Sequence, residues 1–177
     1  MLRILDFLQA GSAKQKEAFH AIRKLKILND LAAYNPTLCG TFPLNIAVDT
    51  SDLDIIMEVY NLGAFEIEVR NLYSRHRHFH LKKLEIRGNP VVKANFTFEG
   101  FEFELFGQPQ PIEKQYAYLH MSVEDHLLKQ IPGLRGDIIR LKKQGIKTEP
   151  AFCKVLGLRG DPYESLIHYG REQGMIP

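Results

Sequence analysis

A chain of 177 residues with 45% hydrophobic and 25% charged side chains has the composition of a soluble globular protein that is long enough to bury a substantial core. The net charge of +2 does not indicate a general electrostatic attraction for nucleic acid or membranes, and no apolar stretch has the length of a signal peptide or a membrane span. The two isolated cysteines, Cys39 and Cys153, have neither disulfide-framework nor metal-site spacing. We therefore expect a cytoplasmic protein without a membrane partner.

The first half of the chain predicts helices around short strands. Apolar residues at steps of three indicate an amphipathic helix over residues 14–34, which the Asn-Pro pair at 35–36 ends. One or two short strands around a Gly-Thr turn are predicted within 37–48. A strand follows over 52–59, and the spacing of apolar residues over 61–73 is helical.

The second half changes from strands to helices. Strands are predicted at 78–87, 90–98 and 101–106, joined by tight turns. From residue 111 the pattern favours helices. The residues that mark their ends are Pro111, Pro150 and Pro162 at first helical positions, Thr148, Glu149 and Asp161 as caps or first-turn residues, and Gly145 after a helix that begins near residue 134.

Together these elements predict an α+β fold, a mixed β-sheet with packed helices and a helical C-terminal third. We expect a single domain, with the sheet-containing core in residues 1–110 and the helical part in 111–177.

The most informative motif is a pair of aspartates inside an apolar run. Asp52 and Asp54 stand two apart on a predicted strand, so both carboxylates point to one face while Leu53 and Ile55 point into the core. Two carboxylates at this separation repel each other, and a divalent cation between them relieves the repulsion. Hard oxygen ligands of this kind suit Mg²⁺.

A small residue and a hydroxyl precede the aspartates. Gly40 has no Cβ, so a phosphate could approach the backbone closely, and Thr41 could donate a hydrogen bond to it. An apolar residue, Gly40-Thr41, a ten-residue spacer and then Asp-x-Asp flanked by apolar residues resembles the signature of the nucleotidyltransferase-fold superfamily, the polymerase-beta-like group. The chain departs from it in having Thr41 where Ser or Gly is usual, and Cys39 before the glycine.

The resemblance implies a third carboxylate from a later strand. Glu102 and Glu104 share one face of the segment 101–106, and we favour Glu104 because it is nearer the end at which the strand leaves the sheet. The alternative is an edge strand whose glutamates are only solvated. With Glu104 included, the implied catalytic and metal-binding residues are Asp52, Asp54 and Glu104, and the implied substrate-binding residues are Gly40, Thr41 and Ser51.

Several other polar groups have two interpretations each. Lys147 lies between two predicted helices and has no capping role there. It is therefore a candidate for a phosphate-binding cation, and Lys93 is a weaker candidate. The alternating histidines at 76, 78 and 80 could bind a transition metal, but the flanking arginines favour a solvated basic ribbon. His120 and Glu124 are neighbours if their segment is helical, and they could pair or form ordinary hydrogen bonds.

Over residues 15–170 the chain is similar to a small bacterial domain family of unknown function within the same superfamily. The similarity lies in the segments GTFPLNI, SDLDII, FEFELFGQ, YLHM, GIKTEPAF and GDPYESL, in this order. This family brings no assigned substrate. With the site intact, the superfamily resemblance implies Mg²⁺-dependent transfer of a nucleoside monophosphate from a nucleoside triphosphate to a hydroxyl of a small molecule, RNA or protein. Two alternatives are a catalytically inactive scaffold that binds nucleotide or a partner, and an RNA-binding or hydrolytic module that uses the basic ribbon at 75–87.

Overall fold

The computed structural model of the protein describes the backbone of residues 2–177 and the side chains of residues 5–177. A five-stranded mixed sheet lies at its centre. The strands are β1 (Thr37–Cys39), β2 (Leu53–Glu58), β3 (Arg77–Ile86), β4 (Asn89–Phe98) and β5 (Phe101–Gln108), in the spatial order β1-β2-β5-β4-β3. Strands β2 and β5 are parallel, and the other pairs are antiparallel.

Eight helices surround the sheet within the described residues. They are α1 (Leu2–Ala10), α2 (Ala13–Leu25), α3 (Ile27–Asp30), α4 (Leu62–Tyr73), α5 (Tyr116–Gln130), α6 (Leu134–Lys143), α7 (Thr148–Leu156) and α8 (Pro162–Glu172). Two 3₁₀ turns, Ala32–Tyr34 and Ile112–Lys114, precede β1 and α5. The predicted α+β class, with a mixed sheet and a helical C-terminal third, is confirmed.

Strand β2 separates two environments because its side chains alternate. Leu53, Ile55 and Met57 are fully buried in the main core, which the sheet forms with α1 to α4. Ile56 points to the other face, where it packs with Cys39 and Ile112. That second face therefore carries Asp54 at one position and an apolar contact with the helical third at the next.

The helical third has its own apolar cluster, made by α5 to α8. Leu44 and Ile46, from the loop after β1, are buried in this cluster, whereas Phe42 of the same loop is buried in the main core. Gln115 is buried just before α5, and its Nε2 donates to the carbonyl oxygen of Met57 over 3.0 Å. These contacts hold the helices against the sheet beside the aspartates.

The predicted helix over 14–34 is interrupted, which corrects the sequence interpretation. Lys26 adopts a left-handed conformation with φ of 59°, and a short helix restarts after it. Leu25 and Ile27 on either side are both buried. A continuous helix would point residues two apart in different directions, so the break allows both to reach the core.

The start of α7 also differs from the prediction. The helix begins at Thr148 with Lys147 as its N-cap residue, so Pro150 occupies the third helical position and not the first. The Thr148 hydroxyl accepts a hydrogen bond from Lys142 instead of capping the helix. Pro111 precedes a 3₁₀ turn, whereas Pro162 does stand first in α8, after the side-chain cap of Asp161.

Candidate active site

Three carboxylates converge on the second face of the sheet. Asp54 on β2 lies directly beside Glu104 on the parallel strand β5, and Asp52 immediately precedes β2. One ligand oxygen from each of the three residues lies within 4.8 Å of the others. Among the residues that the structure describes, this is the one group of three or more acidic, histidine or cysteine side chains with metal-ligand proximity.

The structure brings Glu104, and not Glu102, into this group. Asn95 on β4 donates from Nδ2 to both glutamates, over 3.2 Å to Glu102 and 3.3 Å to Glu104. Glu104 also forms an ion pair of 2.7 Å with Nζ of Lys93. Both neighbours are donors on the adjacent strand, so they fix the carboxylate of Glu104 on the face that Asp54 shares.

The electrostatics of the group favour a cation. Burial raises the pKa of Asp54 well above its usual value, and the nearby charges of Asp52 and Glu104 raise it further. Burial also raises the pKa of Asp52, with Glu104 adding to the effect, while Lys93 opposes both shifts. A divalent ion among these oxygens would supply the positive charge that the group lacks, and three carboxylates are a hard donor set that fits Mg²⁺.

Gly40 lies against the aspartates because β1 pairs with β2. Its neighbour Cys39 is the partner of Asp54 in the register, and Gly40 itself has a φ of +75°. A Cβ at this position would lie 2.3 Å from Oδ2 of Asp54, so only glycine fits without displacement. Thr41 follows; its buried Oγ1 has no hydrogen-bond partner among the described residues.

These residues line a cavity of about 900 Å³ between the sheet and the helical third. The loop that carries Gly40 and Thr41 is held from two sides. Nε2 of Gln15 on α2 donates to the carbonyl oxygen of Phe42 over 2.8 Å, and Arg135 on α6 donates to the carbonyl oxygen of Leu44. Ser51 also lines the cavity, and its Oγ accepts a hydrogen bond of 2.9 Å from the Val48 backbone N–H.

Three lysines from the helical third line the cavity, namely Lys114, Lys142 and Lys147. Lys147, the candidate from the sequence, is exposed at the start of α7. The sequence did not indicate Lys142 on α6 as a site residue. A lysine in the last turn of a helix interacts favourably with the helix dipole and needs no other role. Burial lowers the pKa of Lys142, whereas Glu124, Glu149, Asp52 and Asp54 act to raise it. Lys142 is therefore a cation surrounded by the acids of the site.

The predicted proximity of His120 to Glu124 on one helix face is observed, but not a hydrogen bond between them. Tyr116, His120 and Glu124 follow one another at steps of four along α5, and all three line the cavity. Nε2 of His120 lies 2.8 Å from the carbonyl oxygen of Tyr163. This contact is the ordinary hydrogen bond that the alternative interpretation expected.

The three alternating histidines do not form a metal-binding group. His76 precedes β3 and stacks on the ring of Phe96, with 5.2 Å between ring centroids. His78 has a φ of 57° at an irregularity in the β3–β4 pairing, and its Nδ1 lies 3.1 Å from Oγ1 of Thr97. The irregularity breaks the strict alternation that would have placed the three rings on one face.

The structure has a nucleotidyltransferase-like fold. The structure is similar to the Cid1 poly(U) polymerase in its MgGTP-bound form, with a TM-score of 0.54, 15% identity, and coverage of 74% of this chain and 42% of that one. A cytoplasmic RNA terminal U-transferase matches with a TM-score of 0.53, 15% identity, and coverage of 80% and 46%. The GLD-2/RNP-8 complex matches with a TM-score of 0.54, 10% identity, and coverage of 96% and 65%.

The chain thus spans between 42% and 65% of the length of these structures, and at such low identity they show a shared fold alone. By sequence, residues 20–169 match the family described as a domain of unknown function, DUF4269, and the chain belongs to that family. No curated protein shows significant sequence similarity to it. None of the helices in the described part of the chain is long and apolar enough to cross a bilayer. The bacterial origin and the cytoplasmic location stay predictions.

Proposed function

We propose that the protein is a Mg²⁺-dependent nucleotidyltransferase that transfers a nucleoside monophosphate from a nucleoside triphosphate to a hydroxyl acceptor. The observation that carries the proposal is the convergence of Asp52, Asp54 and Glu104 within 4.8 Å at a cavity wide enough for a nucleotide. The same fold occurs in the poly(U) polymerase whose structure holds MgGTP, which supports the assignment of the cavity to a nucleotide.

Each group of the cavity has a place in this reaction. Asp52, Asp54 and Glu104 would hold Mg²⁺, which when bound neutralises phosphate charge and polarises the α-phosphorus. Gly40 leaves space for the Asp54 carboxylate beside the backbone, and the unpartnered hydroxyl of Thr41 would be a donor for a phosphate oxygen. Ser51 lines the same cavity, and its Oγ holds the loop before β2 by accepting a hydrogen bond from the Val48 backbone N–H.

The residues of the cavity can accept the proton and stabilise the leaving group of this transfer. The acceptor oxygen forms a bond to the α-phosphorus, and the bond from the α-phosphorus to the β-phosphate oxygen breaks and releases pyrophosphate. The hydroxyl proton passes to a carboxylate of the acidic group, which acts as the general base. Lys142 and Lys147 supply positive charge at the cavity, where the leaving pyrophosphate needs it.

A second candidate is a nucleotide-binding protein without turnover. The ion pair of Glu104 with Lys93 and its hydrogen bond from Asn95 favour this candidate, because Mg²⁺ would compete with both for the same carboxylate. The two functions differ in pyrophosphate release. Incubation with each of the four nucleoside triphosphates and a panel of hydroxyl acceptors, with pyrophosphate as the readout, separates transfer from binding alone.

The first test measures nucleotide binding. We expect Mg²⁺ with a non-hydrolysable nucleoside triphosphate to raise the thermal unfolding temperature, because a ligand that binds only the folded state stabilises it. The double substitution Asp52→Asn and Asp54→Asn should abolish the shift, whereas Glu17→Gln, an exposed acid outside the cavity, should retain it. Equal shifts in the wild type and the double variant would refute the proposal.

A further inference from the structure

The helical wall of the cavity contains a buried acid that the proposed transfer does not use. Glu124 on α5 is 2% exposed and lines the cavity, yet its Oε1 has no hydrogen-bond partner among the described side chains and backbone. A buried acceptor without a donor destabilises the fold. Because this oxygen lies at the cavity, a bound molecule is the natural source of the missing donor.

The charges around Glu124 do not balance. Glu149 on α7 is close enough to raise the pKa of Glu124, after burial as the main cause, and Lys142 is the one cation that lowers it. Nζ of Lys142 donates to the Thr148 hydroxyl over 2.9 Å, and it has no carboxylate within ion-pair distance in the described structure. Glu124, Glu149 and Lys142 are therefore a group of two acids and one lysine.

A second acid, Glu149, lies near Glu124 and faces His120. Nε2 of His120 lies at hydrogen-bond distance from the carbonyl oxygen of Tyr163, and since a carbonyl can only accept, this nitrogen carries the hydrogen. The other ring nitrogen, Nδ1, lies 3.8 Å from Oε1 of Glu149, which is longer than a hydrogen bond. Glu149 thus has no close donor in His120, and it lies near the unpartnered oxygen of Glu124, one turn further along α5.

The wall thus lacks hydrogen-bond donors and one positive charge, and an ammonium group supplies both. A nucleobase edge offers donors without the charge. A divalent cation fits less well, because in the described chain the acids of this wall are not part of the three-ligand group. The guanidinium of Arg87, which lies 4.0 Å from the ring centroid of Tyr116, does not supply the charge, because it forms an ion pair of 3.1 Å with Glu164.

We propose that the hydroxyl acceptor carries an ammonium group, as amino alcohols and amino sugars do, and that Glu124 and Glu149 bind this group beside the carboxylates of Asp52, Asp54 and Glu104. This identification of the acceptor class rests on the proposed transfer to a hydroxyl. The binding of the ammonium group itself does not, so it can be measured separately.

The test uses spermidine as a probe that has ammonium groups and no hydroxyl. Its binding is measured by titration calorimetry on the full chain, with Mg²⁺ at saturation so that Asp52, Asp54 and Glu104 do not compete for the probe. We expect Glu124→Gln and Glu149→Gln each to weaken binding by about tenfold or more, because each removes a charge partner from a desolvated site. Glu17→Gln makes the same charge change on an exposed surface and should leave the affinity unchanged.

Affinities that are equal in the wild type and both cavity variants would overturn the inference. Glu149 has a partly exposed side chain, so Glu149→Gln keeps the test valid if Glu124→Gln does not fold. The second readout compares glucosamine with N-acetylglucosamine, which has no ammonium group, as acceptors in pyrophosphate release. Preference for glucosamine supports the inference and equal release overturns it.

The failures of the two proposals are distinguishable. If spermidine binds the wild type and the cavity variants equally, while Mg²⁺ and nucleotide still stabilise the wild type, only the ammonium site is refuted. If Mg²⁺ and nucleotide do not stabilise the wild type, while the cavity variants still bind spermidine more weakly, the transferase proposal is refuted and an ammonium-binding cavity is left.

Discussion

At the scale of single residues, Gly40 shows how closely the candidate site is packed. It combines a left-handed backbone conformation with contact to the carboxylate of Asp54. Gly88, in the β3–β4 turn, has a similar φ of +71°, but a Cβ there would meet nothing within 4 Å. The two glycines therefore separate the cost of the backbone conformation from the cost of crowding the aspartate.

We expect Gly40→Ala to destabilise the fold more than Gly88→Ala and to reduce stabilisation by Mg²⁺. Each substitution costs about 1–2 kcal/mol for the left-handed conformation. Gly40→Ala must in addition displace the Asp54 carboxylate from a contact of 2.3 Å. Urea unfolding of both variants, with and without Mg²⁺, measures the difference. A Gly40→Ala variant that keeps the full response to Mg²⁺ would show that Asp54 can move without loss of the metal.

At the scale of elements, the loop between β1 and β2 connects the two apolar clusters. Its buried residues divide between the main core and the helical cluster, and Arg135 on α6 donates from Nη1 to the carbonyl oxygens of Leu44 and Asn45. The position of Thr41 relative to the carboxylates thus depends on a helix almost a hundred residues later in the chain.

Arg135→Ala should loosen this loop. Two backbone carbonyls lose a charged donor, and we expect a loss of about 1–3 kcal/mol in the free energy of unfolding. Stabilisation by the Mg²⁺–nucleotide complex should also decrease, because Thr41 is no longer held in place. Arg159→Ala is the matched control, as this arginine is exposed and lies outside the cavity. Unchanged nucleotide stabilisation in Arg135→Ala would mean that the loop is positioned by its buried apolar residues alone.

The sequence predicted what depends on local periodicity and missed what depends on long-range contacts. Alternation located β2 and β5, and the same alternation placed Asp54 and Glu104 on the faces where the structure has them. The break at Lys26 was not predicted, because it serves the burial of Leu25 and Ile27 in a core made by distant segments. Lys142 was missed for a similar reason, since only the tertiary fold brings the last turn of α6 to the aspartates.

At the scale of the whole molecule, the cavity concentrates acids whose ionised forms are disfavoured by the fold. Burial raises the pKa of both Asp54 and Glu124, and neighbouring carboxylates add to the effect. Surface acids show the opposite behaviour, as the ion pairs of Asp49 with Lys14 and of Glu66 with Lys83 lower their pKa values. The stability of the protein should therefore depend on pH in two separate ranges.

Below the usual carboxyl range, the surface ion pairs are lost as Asp49 and Glu66 take up protons, and stability falls with falling pH. Above that range the cavity acids dominate. A raised pKa means that the folded state binds more protons than the unfolded state, so stability decreases as pH rises through the raised pKa of Asp54. Each unit of such a shift costs about 1.4 kcal/mol once the pH exceeds it.

Asp54→Asn should therefore unfold at a higher temperature than the wild type at neutral pH without Mg²⁺, and the advantage should disappear where Asp54 is protonated. Mg²⁺ should stabilise the wild type increasingly as the pH rises, because the ion binds the ionised carboxylates, and it should not stabilise the variant. Thermal unfolding from about pH 5 to 8, with and without Mg²⁺, measures both effects. If the variant were less stable than the wild type throughout this range, the ionised carboxylate of Asp54 would stabilise the fold. The buried acids that bind the metal would then not destabilise the metal-free protein.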